Sequence, residues 1–305
     1  MSQHFHFDTI EQYFAATGRE APNHPLFAVT RISPNTQFSS HCAGADAQYS
    51  GNFYMIALKK VISGEIVYGK NRFDCNSGTM IFMGPNQKVS TQGITVESEG
   101  IALLIHPDYL KQHPILQKFQ QAGFFSYAVN EALHVSNKEE QHLKQLLMAI
   151  EQEYQGNYDE FSRNIVLSHL EAVIAYSERF YRRQFIQRQE ISGGIYESFA
   201  LVVRQNLREK QLSELPSITA IAEQMNVTQR YLTDALKAET GKSAKEWIQL
   251  LIIDEAKERL LDPDLSVSTI AYQLGFEYPQ YFARLFKNKV GVTPTQYRQQ
   301  PNLLH

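Results

Sequence analysis

Two short sets of residues in the last hundred positions combine side chains that can read or grip a polyanion. The first is Gln229, Arg230, Thr233, Asp234 and Lys237; the second is Gln280, Arg284 and Lys287. Arginine suits guanine O6 and N7, glutamine suits adenine N6 and N7, and a carboxylate such as Asp234 can accept from cytosine N4. Lysine neutralises phosphate. No comparable set of catalytic residues stands out. His4 and His6 have the H-x-H spacing of a metal pair, but His41 and His106 are isolated, and a zinc or iron site needs three or four ligands. Neither a phosphate loop, a dinucleotide fingerprint, a nucleophile elbow nor an H-E-x-x-H motif is present. Cys42 and Cys75 read as two small hydrophobes of a reduced compartment.

Both sets sit in an internal repeat. Ile218, Ile221, Ala222, Met225 and Val227 recur 49 residues later as Val267, Ile270, Ala271, Leu274 and Phe276. After one inserted residue, Tyr231, Leu232, Leu236, Lys237, Gly241 and Trp247 recur at an offset of 50 as Tyr281, Phe282, Phe286, Lys287, Gly291 and Tyr297. Each copy reads as a short helix, a tight turn and a second helix. Ser217 and Ser266 are N-cap residues for the first helices, and Thr228 caps the second helix of copy one. Pro279 starts the second helix of copy two. Asn226 and Gly275 fall at the turn, where a left-handed conformation is needed. This is a helix-turn-helix, whose second helix lies in the major groove in DNA-binding versions. Tyr281, Phe282 and Phe286 are expected in the core.

Between the copies, 244–261 reads as one helix ended by Pro263, about 27 Å long. With the flanking turns, it would hold the two reading helices about 34 Å apart, one turn of B-DNA. Over 195–305 there are 13 Lys and Arg against 13 Asp and Glu. Over 277–298 the balance is +3, with Arg284, Lys287, Lys289 and Arg298 against Glu277; over 228–242 it is +1. The second copy is therefore expected to supply more of the electrostatic attraction.

The stretches 218–248 and 266–298 resemble the first and second helix-turn-helix motifs of the AraC/XylS family of bacterial transcription regulators. The resemblance covers about 195–305. It implies an all-α double helix-turn-helix DNA-binding domain, with motifs at about 217–240 and 266–290. It carries the base- and phosphate-contacting roles onto Gln229, Arg230, Thr233, Asp234, Lys237, Gln280, Arg284 and Lys287. Asp234 departs from the basic or small polar residue usual at its position. The arrangement of 1–190 is similar to the cupin-like ligand-binding and dimerisation domain of the arabinose-regulator type.

That region is β-like up to residue 106. Runs at 26–32, 53–62, 65–69, 79–83 and 101–106 are separated by Gly, Asn, Ser and Pro, with hairpin turns at Ser63-Gly64 and Gly69-Lys70-Asn71. A barrel or sandwich follows, so the fold class is α+β. Arg31, Tyr54, Ile56, Lys60 and Met80 are candidates to line an effector site at its mouth. A helical pair comes next. Leu143, Leu146, Leu147, Ile150 and Tyr154 share one helical face. A helix from about Asp159 to Arg183 carries more apolar surface than one face needs, which suggests a homodimer. Ser192-Gly193-Gly194 reads as the linker.

The 305 residues, 43% hydrophobic and 20% charged, exclude a disordered or fibrous chain. A net charge of −3 excludes a bulk polycation, so DNA contact must rest on local geometry. No run reaches the about 18 apolar residues of a membrane span, and the start does not read as a signal peptide. The expectation is a cytoplasmic transcription regulator, not an enzyme, without metal or cofactor. Its partners would be double-stranded DNA, a second copy, a small-molecule effector and RNA polymerase, with no membrane. The rival readings are a cupin-fold metalloenzyme with a helical accessory domain and a double helix-turn-helix used for protein binding.

Overall fold

The structure, a computed structural model, describes residues 4–32, 48–59, 61–63, 78–90, 95–96, 100–127, 131–192, 194–208 and 214–299. It divides into two compact units, Met1–Gln184 and Phe185–His305.

The first unit combines sheets and helices. Its strands are β1 (His4–Phe7), β2 (Phe27–Ile32), β3 (Gln48–Gly51), β4 (Tyr54–Lys59), β5 (Val61–Ser63), β6 (Thr79–Met83), β7 (Val89–Ser90), β8 (Thr95–Val96), β9 (Gly100–Ile105) and β10 (Leu133–His134). An antiparallel five-stranded sheet has the order β10-β6-β4-β9-β2. Every residue of β9 is buried, as is Thr79–Phe82 of β6, so this sheet is covered on both faces. Their unbroken apolar runs are the sequence mark of such strands. Smaller sheets β1-β3-β7 and β5-β8 complete the set. Among the described residues these are open sheets, and the expected barrel does not close. The expected strand 65–69, both hairpin turns, Cys42 and Cys75 lie outside the described residues.

The helices are α1 (Ile10–Ala16), α2 (Ile115–Gln121), α3 (Asn137–Gln155) and α4 (Ser162–Ser192). A capping box of Ser136 and Glu139 starts α3, and Gly156 ends it. The Asp159 carboxylate accepts from the backbone N–H groups of Phe161 and Ser162 and so launches α4. This helix runs nine residues past the expected end at Arg183, because no Gly or Pro interrupts 184–192. Most of its apolar surface is used within the chain: Val166, Leu167, Leu170 and Val173 are wholly buried.

Among the described residues the elements of the second unit beyond α4 are all helices: α5 (Gly194–Arg208), α6 (Ile218–Gln224), α7 (Gln229–Thr240), α8 (Ala244–Leu260), α9 (Val267–Gln273), α10 (Pro279–Val290) and α11 (Pro294–Gln299). The repeat is realised cap by cap. Ser217, Thr228 and Ser266 each accept a backbone N–H with their hydroxyl, and Pro279 opens α10. Asn226 (φ 54°) and Gly275 (φ 85°) make the turns in the left-handed region. At Gly275 a Cβ would also stand 2.5 Å from the Glu214 carbonyl, so the position accepts no side chain. One core serves both copies. Ile221, Leu232 and Leu236 of the first and Ile270, Phe282 and Phe286 of the second pack with Leu251, Ile252 and Ile253 of α8. Arg259 ties α8 to its neighbours, bonding Glu255, Gln273 of α9 and the Leu207 carbonyl of α5.

Candidate nucleic-acid interface

The second helix of each copy buries one face and leaves the other in solvent. On α7 the buried face is Tyr231, Leu232, Ala235 and Leu236. The exposed side carries Gln229, Arg230 and Lys237, with Thr233 and Asp234 half-buried. Gln229, Arg230, Thr233 and Asp234 are engaged with one another, with their own helix or with Thr219 of α6. The Thr219 hydroxyl donates to Gln229 Oε1 at 2.8 Å. The Thr233 hydroxyl donates to the Gln229 carbonyl at 2.9 Å. Arg230 Nε donates to Asp234 Oδ2 at 3.0 Å, an ion pair one turn apart.

On α10 the buried face is narrower, Phe282 and Phe286. Gln280, Arg284 and Lys287 all point to solvent. Among the described residues no ion pair engages Arg284 or Lys287. Arg284 lies instead over the Tyr281 ring, 5.3 Å from its centre. Tyr281 corrects an expectation: it is 48% exposed, not core. Its counterpart Tyr231 is wholly buried, with the Phe185 ring packed against it at 5.2 Å, and Phe185 lies outside the repeat. Tyr278 and Tyr272 add two further exposed rings to the second copy, which the residue types alone did not single out.

The electrostatic reckoning also changes. Arg298 donates to the Leu260 carbonyl at 3.1 Å and the Leu265 carbonyl at 2.7 Å, so it secures the end of α8. Lys242 lies over the Trp247 ring at 5.2 Å. At the end of α7, Glu239 accepts from the backbone N–H groups of Ile195 and Tyr196, closing the start of α5. Gly194, the α5 residue before them, has φ 79°, and a Cβ there would meet Glu239 Oε1 at 2.3 Å. Sequence alone read this glycine as linker; Gly193 lies outside the described residues.

In the first unit the effector candidates are dispersed. Arg31 forms a bidentate ion pair with the buried Glu151 of α3. Ile56 and Met80 are wholly buried sheet core. Tyr54 lines a cavity of about 290 Å³ together with Gln87, Phe119, Gln120, Phe125 and Ser126. Burial raises the Tyr54 phenol above its ordinary pKa. Lys60 lies outside the described residues. His4 and His6 both bond the Ser50 hydroxyl, at 2.9 and 2.8 Å, across the β1–β3 pairing. Among the described residues no three His, Cys, Asp or Glu side chains gather to hold a metal ion, and no helix is long and apolar enough to cross a membrane.

Comparison with known proteins bears on the second unit. A helix-turn-helix domain family matches residues 221–300. The match assigns a helix-turn-helix domain to the C-terminal part of this chain. Over 134 residues, 44% of this chain, it is 32% identical to the uncharacterized HTH-type transcriptional regulator YfiF of Bacillus subtilis, covering 42% of that protein. Over 106 residues it is 29% identical to the HTH-type transcriptional activator RhaR of Salmonella heidelberg, covering 32% of this chain and 38% of the activator. The chain thus spans less than half the length of these two relatives. Among solved structures, an AraC-type regulator from Chromobacterium violaceum is 21% identical, with a TM-score of 0.32 over 36% of this chain and 96% of that one. The segment matched by the helix-turn-helix family takes in both repeat copies from Ile221 onward.

Proposed function

We propose that this protein is a sequence-specific, double-strand DNA-binding transcription regulator and not an enzyme. The observation that carries this reading is α10: a reading helix on a rigid shared core, with Gln280, Arg284 and Lys287 all turned to solvent. Arg284 and Gln280 would contact base edges, and Lys287 and Lys237 phosphates. Gln229, Arg230, Thr233 and Asp234 would form the first head. Similarity to proteins named as transcriptional regulators favours this reading over a metalloenzyme.

In the same reading, residues 1–190 form a cupin-like sensor and dimerisation domain and 195–305 the DNA-binding domain of a cytoplasmic homodimer. A small-molecule effector would bind the first domain, shift the population of arrangements in which the DNA-binding domains are held and so alter contact with RNA polymerase. The dimer reading rests on Phe161, just before α4, and Ile165 in its first turn, 63% and 41% exposed.

The test is selection of bound duplexes from a random pool by the full chain, followed by salt titration. One enriched motif is expected, with affinity falling about a thousandfold between 50 and 200 mM salt if some six phosphates are contacted. A pool that stays random, or an affinity indifferent to salt, would refute the reading. Sedimentation of the full chain should show a dimer that Phe161→Ser weakens; a monomeric parent at micromolar concentration removes the dimer.

A further inference from the structure

Tyr278, Tyr281 and Arg284 stand three residues apart at the start of α10 and share one side of it. The Arg284 guanidinium carbon is 5.3 Å from the centre of the Tyr281 ring, within the range where the ring face attracts a cation. The Tyr278 ring meets Tyr281 edge-on, 5.7 Å away at 86°, an arrangement that aromatic quadrupoles favour. All three side chains are exposed, so the stack is not part of the core. An arginine on a helix surface ordinarily samples many rotamers, and ordering it on a partner costs free energy at the moment of binding. A ring already in contact with the guanidinium removes part of that cost.

We infer that Tyr281 is a positioning residue: its ring, braced by Tyr278, holds Arg284 ready before DNA arrives, so that discrimination at the base read by Arg284 depends on an aromatic ring at 281. This rests on the DNA-reading function proposed above. The first copy lacks the device. There Tyr231 is buried beneath Phe185, and the residue equivalent to Arg284 is Asp234.

The test uses the full chain and the duplex it selects from a random pool, with single-base variants of that duplex. Tyr281→Ala is expected to weaken the selected duplex about two- to fivefold and to relax preference at the same base pair that Arg284→Ala affects. Tyr281→Phe, which keeps the ring, should match the parent. Tyr281→Leu, which keeps bulk without the π face, should behave as alanine does. In the Arg284→Ala background, Tyr281→Ala should add nothing. Unfolding followed through Trp247 should be unchanged in each, since residue 281 is half exposed. The inference is overturned if Tyr281→Ala and Tyr281→Leu keep the parent's base preference. It is equally overturned if they weaken every duplex alike, with and without Arg284, which would make the phenol a phosphate contact. If the parent itself enriches no sequence, the DNA-reading function fails first, before any variant is made.

Discussion

At positions fifty residues apart the two helix-turn-helix copies carry Arg230 and Gln280, Asp234 and Arg284, and Glu239 and Lys289. The backbones match cap for cap, but the side chains are spent differently. Copy one pairs Arg230 with Asp234, uses Glu239 to close α5 and buries Tyr231 under Phe185. Copy two leaves Arg284, Lys287 and Lys289 exposed and its tyrosine in solvent. One duplicated unit has thus become partly a structural joint, while the other presents its polar face. A repeated fold does not guarantee a repeated interface, because what covers each copy lies outside the repeat.

The largest expected effect separates the two tyrosines. Tyr231→Ala should cost about 3–5 kcal/mol, as removal of a buried aromatic does. Tyr281→Ala should stay below about 1 kcal/mol, because half-exposed sites away from core and caps are tolerant. Denaturant unfolding followed by fluorescence of Trp247, the single tryptophan, measures both. Equal losses would erase the distinction between the copies.

A smaller effect concerns Asp234. It stands on α7, where its charge pairs with Arg230 and, in the proposed DNA-binding role, would repel phosphate. Asp234→Asn is expected to tighten binding to every duplex and to steepen the log–log salt slope by about one unit. Selective weakening of the cognate duplex would instead mean that Asp234 accepts from a cytosine.

The smallest effect is in pH. Ser243 and Glu246 form a capping box at the start of α8, after copy one. Thr293 and Gln296 make the same contacts at the start of α11, after copy two. Hydrogen bonds from Ser243 hold the Glu246 carboxyl below the usual carboxylate pKa. A carboxyl depressed in the folded state adds stability that is present above its unfolded value and is lost as pH falls through the folded one. Glu246→Gln should therefore flatten the acid limb of the stability curve below the ordinary glutamate value, making the first box behave like the second. An unchanged acid limb would place the acid sensitivity elsewhere.

The elements of the second unit were legible in sequence because their signals are local. Ser217, Thr228, Ser266, Asn226, Gly275 and Pro279 each act within a few residues of where they stand, and the repeat states them twice. Exposure on the reading helices was less legible. Tyr231 and Tyr281 are the same residue in the same register, and the Phe185 ring that packs on Tyr231 stands 46 residues away in the chain. Arg298 entered the charge balance of the second copy because its acceptors are the backbone carbonyls of Leu260 and Leu265, which no residue type announces. The first unit was read least well for the same reason. Its sheet order is set by long-range pairing, β1 joins β3 across 44 residues, and Arg31 meets Glu151 across 120.

The contrast between the copies meets its most direct test in two arginines. Arg230→Ala and Arg284→Ala, each in the full chain, should be titrated against the selected duplex and its single-base variants. Arg284→Ala is expected to lose about 1–3 kcal/mol on the selected duplex and to relax preference at one base pair. Arg230→Ala, which removes a guanidinium already paired with Asp234, should lose less and change preference little. If Arg284→Ala binds as the parent does while Arg230→Ala loses a base, the first copy is the reader and the assignment of the second copy is wrong.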